Sequence, residues 1–266
     1  MNRLCIGLLL NPVAGIGGTV ALKGSDGPAL QAQAEGRGAT YQAGARAAEF
    51  LQHASKHCRG LAVNTHWLTV AAPMGMQCFA EGEWSVEAID HIPAEPTSAA
   101  DTRRAAKLLL AGGVDLLVFV GGDGTAREVL AAVGQQVPVI GIPAGVKMHS
   151  GVFAVTPRTA GLLLAQLVQG GLVAPVAREV RDYDENSPDT EMRIRSYGEL
   201  CVPEIGGYLQ QTKVGGKESE PLALEDICAY VAELLPADRD IVIGPGSTCL
   251  AIKSSLGFQG TLRGVD

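Results

Sequence analysis

Val114 to Phe119 is a short apolar run that ends in Val120-Gly121-Gly122-Asp123-Gly124-Thr125. The run predicts a buried strand, and the glycines crowded behind it predict a turn. Ala126 to Val133 then carries apolar residues at helical spacing. Strand, glycine turn and helix in that order set a helix N-terminus at the end of a strand, where the first helical N–H groups attract an anion. The glycines let the backbone approach that anion with no Cβ between them. Asp123 is the discordant member. A carboxylate in a phosphate cradle repels its ligand unless a cation intervenes or the carboxylate handles a proton, so the motif predicts chemistry as well as binding. The spacing is neither GxxxxGK[S/T] nor GxGxxG, which separates it from two commoner nucleotide loops.

The surrounding chain repeats the alternation. Arg3 to Leu10 predicts a first strand, Gln42 to His57 a helix, and Ser85 to Ile89 a further strand. A helix capped at Thr97 or Ser98 follows, stopped by Gly112-Gly113. Val137 to Ile142 predicts the strand after the glycine motif, and Arg158 to Gln169 another helix. Alternating strands and helices with short connections predict an α/β fold, a three-layer and mostly parallel sheet. Ligands on such sheets bind beyond the carboxyl ends of the strands. Asn11, Asp123, Pro143 to His149 and Gly244 to Thr248 all follow predicted strands, which predicts one shared crevice.

After Gln169 the texture changes. Ala177 to Tyr183 and Glu191 to Arg195 alternate charged and apolar residues around a turn-rich connection, the pattern of a half-exposed antiparallel hairpin. The expected division is therefore an α/β nucleotide-binding domain over 1–156 and a second, strand-containing lobe over 157–266. In that lobe Leu222 to Leu235 reads as a helix, Ile241 to Ile243 as a buried strand, and Cys249 to Leu256 as a helix ending at Gly257. Gly260 to Asp266 reads as a strand just beginning, an expectation that the chain stops within its last lobe.

Composition narrows the class. The chain has 266 residues, 47% of them hydrophobic, with 34 glycines, enough for a substantial core with many tight turns. A net charge of −7 argues against nucleic acid or an anionic membrane as the main partner. No apolar run approaches the roughly 18 residues that span a bilayer. Leu4 to Leu10 imitates a signal peptide only faintly, since Asn11-Pro12 ends it with turn chemistry. Six scattered cysteines without CxxC spacing fit a reduced cytoplasm and suggest neither disulfides nor a zinc site.

Gly121-Gly122-Asp123-Gly124-Thr125 resembles the signature of the NAD kinase and diacylglycerol kinase superfamily. Asn11-Pro12-Val13-Ala14-Gly15 is similar to that family's asparagine-proline turn near the nucleotide. Pro138 to Ile142 with Gly145 resembles the strand and loop that follow, and Gly244-Pro245-Gly246-Ser247-Thr248 a later glycine-serine-threonine loop. Leu22 to Gly27, Gly145 to Ser150, Ser98 to Arg103 and Tyr197 to Leu200 bring the sequence nearest to the ATP-NAD kinase-like group that includes the acetoin-catabolism protein X. The resemblance implies the NAD kinase-like fold and a tendency to self-associate. It also implies phosphoryl transfer from ATP, with magnesium, to a small-molecule hydroxyl, NAD by default or another hydroxylated metabolite or lipid. A nucleotide-binding regulator without turnover is the rival reading.

Carried onto this chain, the resemblance makes Asp123 the residue that takes or orients the acceptor hydroxyl; the plain alternative is a helix cap. Gly121, Gly122, Gly124 and Thr125 would cradle phosphate. Asn11 would hydrogen-bond the nucleotide, or merely form a turn with Pro12. Gly246, Ser247 and Thr248 would contact phosphate, or the last two would only cap a helix. Gly145 and Lys147 lie in the loop after the Val137 to Ile142 strand, where Lys147 would neutralise transferring charge and His149 would contact substrate; both also read as solvated loop residues. Arg127 and Glu128 read as exposed helix-face residues. No metal-ligand set is legible. Two departures concern the acceptor: Pro143 stands where NAD kinases have asparagine, and none of Asn2, Asn11, Asn64 and Asn186 is followed by glutamate.

Overall fold

The apolar runs become the strands of one parallel sheet. β1 (Leu4–Leu10), β2 (Thr65–Thr69), β3 (Val86–Ala88), β4 (Leu116–Gly121) and β5 (Val139–Pro143) lie in the order β3-β2-β1-β4-β5. The computed structural model of the chain describes residues 3–16, 28–58, 65–80, 84–144, 148–170, 174–183, 194–204, 220–235, 240–244 and 247–261. Every residue of β4 is buried, which explains its unbroken apolar run: a central strand of a parallel sheet is covered on both faces.

Helices supply the covering layers. α1 (Pro28–Gly36), which the sequence reading did not anticipate, precedes α2 (Ala43–His57). α2 packs against α5 (Pro157–Val168), and α3 (Ala99–Ala111) packs against α4 (Asp123–Val133). Right-handed crossovers account for the two pairs. From β1 the chain steps through α2 towards β2 and β3, then returns through α3 and α4 to β4 and β5. That reversal leaves β1 and β4 adjacent, with Leu10 opposite Val120. Their carboxyl ends form the switch point at which such sheets take ligands. Inside, Trp67 makes edge-on ring contacts with Phe50, Phe79 and Trp84, and Phe119 does so with Phe153.

α3 shows how one side chain fixes an element's start. Ser98 is its N-cap, and Asp101 accepts from the Ser98 N–H at 2.9 Å, the Ser98 hydroxyl at 2.7 Å and the Ala94 N–H at 3.0 Å. Burial works to raise the Asp101 carboxyl. The hydrogen bonds from Ser98 and Ala94, with His91 beside them, outweigh it and hold the group below the usual aspartate range. Asp101→Ala is expected to cost about 1–3 kcal/mol, measured by urea unfolding at neutral pH. Because the folded carboxyl is the stronger acid, the wild-type advantage is complete above the unfolded value. It disappears as pH falls through the folded one.

β6 (Ala174–Tyr183) and β7 (Ile194–Glu204) form the expected antiparallel hairpin, with a register shift between Val180 and Arg181. The hairpin packs on α4 and β5. It therefore lies in the compact unit Met1–Thr212. The second unit, Lys213–Asp266, contains α6 (Glu220–Leu234) packed on α7 (Ser247–Ser255). Ile241 to Ile243 is not the buried strand its apolar run predicts. No pairing strand is described in that unit, and Val242 is 77% exposed. Gly257 closes the α7 region with φ +85, as its position after the helix predicts. Leu61 to Val63, the hairpin turn and Leu262 to Asp266 lie outside the described residues. Among the described residues no helix is long and apolar enough to cross a membrane.

Candidate active site

The glycine turn is shorter than its sequence suggests. β4 runs through Gly121, Gly122 is the N-cap, and α4 begins at Asp123, so Gly124 and Thr125 form helix rather than loop. Gly121 is imposed by packing: a Cβ there would lie 2.4 Å from both Cβ and Oγ1 of Thr125. Gly122 is not imposed by packing among the described residues, where a Cβ would meet only Met148 Cε, at 4.0 Å. Open space in front of a backbone N-cap glycine is where an anion reaches a helix N-terminus.

Asn11, at the end of β1, is tied to the same turn. Its N–H donates to the Val120 carbonyl at 3.0 Å, and its side-chain amide donates to Thr125 Oγ1 at 2.9 Å. Its own Oδ1 accepts from the Val13 N–H at 3.2 Å, closing the turn at Pro12. Thr125 Oγ1 also accepts from the Gly122 N–H at 3.4 Å. Asn11 and Thr125 thus lock β1 to the first turn of α4, at the switch point.

Asp123 is buried, 7% exposed, and its carboxylate is held by the segment after β5. Oδ2 accepts from the His149 N–H at 2.7 Å. Oδ1 accepts from the Ser150 N–H at 3.0 Å and the Ser150 hydroxyl at 2.6 Å. A carboxylate offers about four acceptor directions, and these three donors leave one on Oδ2. Burial pushes the Asp123 carboxyl above the usual aspartate range against these hydrogen bonds, with Asp182 adding to the rise. His149 contributes its backbone here, where the sequence reading had its side chain meeting a substrate.

Ser150 extends the network to the hairpin: its Oγ accepts from the Arg181 N–H at 3.0 Å and lies 2.9 Å from the Arg181 carbonyl. The residue after Arg181 completes a second link. Asp182 Oδ2 pairs with Arg127 at 3.1 Å, and the Arg127 guanidinium lies 4.2 Å above the centre of the Tyr197 ring. Sequence reasoning placed Arg127 on an exposed helix face and did not single out Ser150 or Asp182. The legible signal was spacing, since Arg127 follows Asp123 by one helical turn and shares its face. Glu128 pairs with Arg103 of α3. Glu199, on β7, is exposed.

The structure therefore gathers Asn11, Gly121, Gly122, Asp123, Thr125 and His149, and adds Ser150. Gly124 is the second residue of α4. Gly145, Lys147 and Gly246 lie outside the described residues; Ser247 and Thr248 open α7 in the second unit. Among the described residues no group of three or more His, Cys, Asp or Glu is placed to hold a metal.

The sequence profile of the ATP-NAD kinase N-terminal domain matches residues 6–172, well over half of the chain. The chain belongs to the ATP-NAD kinase family. The family's matched span contains Asn11, the Gly121–Thr125 turn and the Ser150 segment, and it ends before β6. The chain is also similar to a crystal structure from Bacillus anthracis str. Sterne described as a "putative diacylglycerol kinase". The two share 14% identity at a TM-score of 0.31, over 91% of this chain and 58% of that one. No curated protein matches the chain.

Proposed function

We propose that this ATP-NAD kinase family member transfers a phosphoryl group from ATP to a hydroxyl of a small molecule, NAD being the first acceptor to try. The observation that carries the reading is the Asp123 carboxylate. It is fixed by three donors, keeps one acceptor direction on Oδ2, and stands in the first turn of α4 beside the open face of Gly122. The helix N-terminus and the Gly122 backbone receive the donor phosphates. Asn11 and Thr125 keep that backbone in place, and Gly124 leaves the first turn without a side chain. Gly145 and Lys147, with Gly246, Ser247 and Thr248, are proposed as further phosphate contacts from the family resemblance.

Oδ2 of Asp123 takes a hydrogen bond from the acceptor hydroxyl, orients its oxygen, and receives its proton as the new P–O bond to the γ-phosphorus forms and the bond to the departing ADP breaks. A carboxyl raised above the usual range is the better base for that step while it remains ionised at neutral pH. Phosphoryl transfer otherwise demands position and charge neutralisation, which a fixed carboxylate and a backbone cradle supply. Magnesium would neutralise phosphate charge. A cytoplasmic enzyme that self-associates is the setting this reading favours.

The test is ATP consumption by the purified chain with magnesium, offered NAD and then a panel of hydroxylated metabolites. Transfer to one of them that Asp123→Asn abolishes supports the reading. ATP binding without transfer to any acceptor replaces it with a nucleotide-binding regulator. Ser150→Ala should lower transfer about ten-fold and cost about 1–2 kcal/mol by urea unfolding, since the Arg181 N–H loses its acceptor.

A further inference from the structure

Two independent links join the catalytic turn to the hairpin, and they close a ring. One runs from Asp123 Oδ1 through the Ser150 hydroxyl to the Arg181 backbone, at 2.6 and 3.0 Å. The other leaves α4 one turn later, from Arg127 to Asp182, at 3.1 Å. Arg181 and Asp182 are consecutive on β6, so Asp123 and Asp182 are carried on facing elements clamped at two points. Arg127 is fixed in turn by the Tyr197 ring of β7, with Arg195 on the same ring at 5.5 Å.

We infer that Asp182, held by Arg127 over the Tyr197 ring, is a positioning residue of this site whose charge helps to tune when Asp123 carries a proton. The inference takes its meaning for turnover from the proposed phosphoryl transfer, but the protonation itself is independent of that reading.

Among the described residues, the charged and titratable groups around Asp123 come from four elements. α4 contributes Arg127, and Glu128 paired to Arg103. The segment after β5 contributes His149, next to Ser150. β6 contributes Arg181, paired to Glu179, and Asp182. β7 contributes Tyr197 and Arg195. Among the groups acting on the Asp123 carboxyl through charge, Asp182 acts upwards, in the same direction as burial. An anion nearby disfavours a second anion, and the Arg127 guanidinium paired with Asp182 is the charge placed to screen it. The pair thus works as an adjustable field: lengthening or breaking the Arg127–Asp182 contact changes the proton affinity of Asp123 without touching it. Any acceptor that draws Arg127 from Asp182 raises that affinity just when a base is needed.

The test is a carboxyl NMR titration of the full chain labelled with 13C-aspartate, the Asp123 signal being the one lost in Asp123→Asn. In the wild type the signal should titrate above the usual aspartate range. In Asp182→Asn it should move to lower pH by about half a unit to one unit. In Arg127→Met, which keeps the apolar stem, it should move in the opposite direction. Asp182→Glu should titrate like the wild type. Loosened packing cannot produce opposite shifts in the two charge variants, so that pair of results supports the inference, including where Asp182→Asn is less stable. An Asp123 signal unmoved in both variants, or moved the same way in both, overturns it. Wild-type failure to transfer phosphate from ATP would sink the proposed function and leave this titration readable.

Discussion

Replacing Asp123 with asparagine should lower phosphoryl transfer by about two to four orders of magnitude while ATP binding stays within a few-fold. The asparagine keeps the shape and loses the base. It also loses an acceptor: one of the positions that takes the His149 N–H and the two Ser150 donors becomes an NH2 group, which meets a donor with a donor. That mismatch costs about 1–3 kcal/mol, offset in part because a buried charge is removed. The pH dependence has a definite sign. The folded Asp123 carboxyl is raised, mainly by burial, so its contribution to stability is complete below the unfolded aspartate value. It is lost as pH rises through the folded value. Relative to the asparagine variant, the wild type should therefore be favoured most in acid below the unfolded aspartate value, and the gap should narrow as pH rises towards neutral. Urea unfolding across pH, beside steady-state kinetics with ATP, measures both effects. A variant that turned over like the wild type would remove Asp123 from the chemistry.

Gly121→Ala should be the most damaging single methyl in this molecule's active region. The added carbon would lie 2.4 Å from Cβ and Oγ1 of Thr125, a distance that no rotamer of threonine relieves because Cβ itself is in the way. Either β4 or the first turn of α4 must shift. The shift pulls Thr125 Oγ1 from the Asn11 amide and opens the lock between β1 and α4. A loss of about 2–4 kcal/mol is expected by urea unfolding, with ATP affinity falling alongside it. Gly122→Ala serves as the contrast. Among the described residues its Cβ meets only Met148 Cε at 4.0 Å, so stability should hardly change while nucleotide binding falls, the methyl occupying the space open to an anion. Equal stability losses at the two glycines would contradict the division between a packing glycine and a binding glycine.

The legible part of this protein was its local chemistry. The unbroken apolar run before Gly121 predicted a buried strand, and β4 is one, buried along its whole length. Thr97 or Ser98 and Gly112-Gly113 marked the ends of α3, and the alternation over Ala177 to Tyr183 and Glu191 to Arg195 marked the hairpin, because capping and half-burial leave traces within a few residues. Ile241 to Ile243 failed for the opposite reason. An apolar run becomes a strand only where a partner offers its N–H and C=O groups, and that partner is never written in the run itself.

The site divides in the same way. The order of strand, glycines, aspartate and helix determined that an anion-attracting helix N-terminus would stand behind β4 with a carboxylate in the glycine turn before it; that the carboxylate lies in the first helical turn was set by the structure. Chain reversal across the sheet decided the rest. It set β1 beside β4, so that Asn11 met Thr125 across 114 positions of sequence. It brought Ser150 onto Asp123 and turned Arg127 from a plausible surface residue into the partner of Asp182 and Tyr197. Spacing can fix which residues share a helical face, because that period is local. Which charge lies opposite that face depends on where the hairpin packs, and hence only on the tertiary structure.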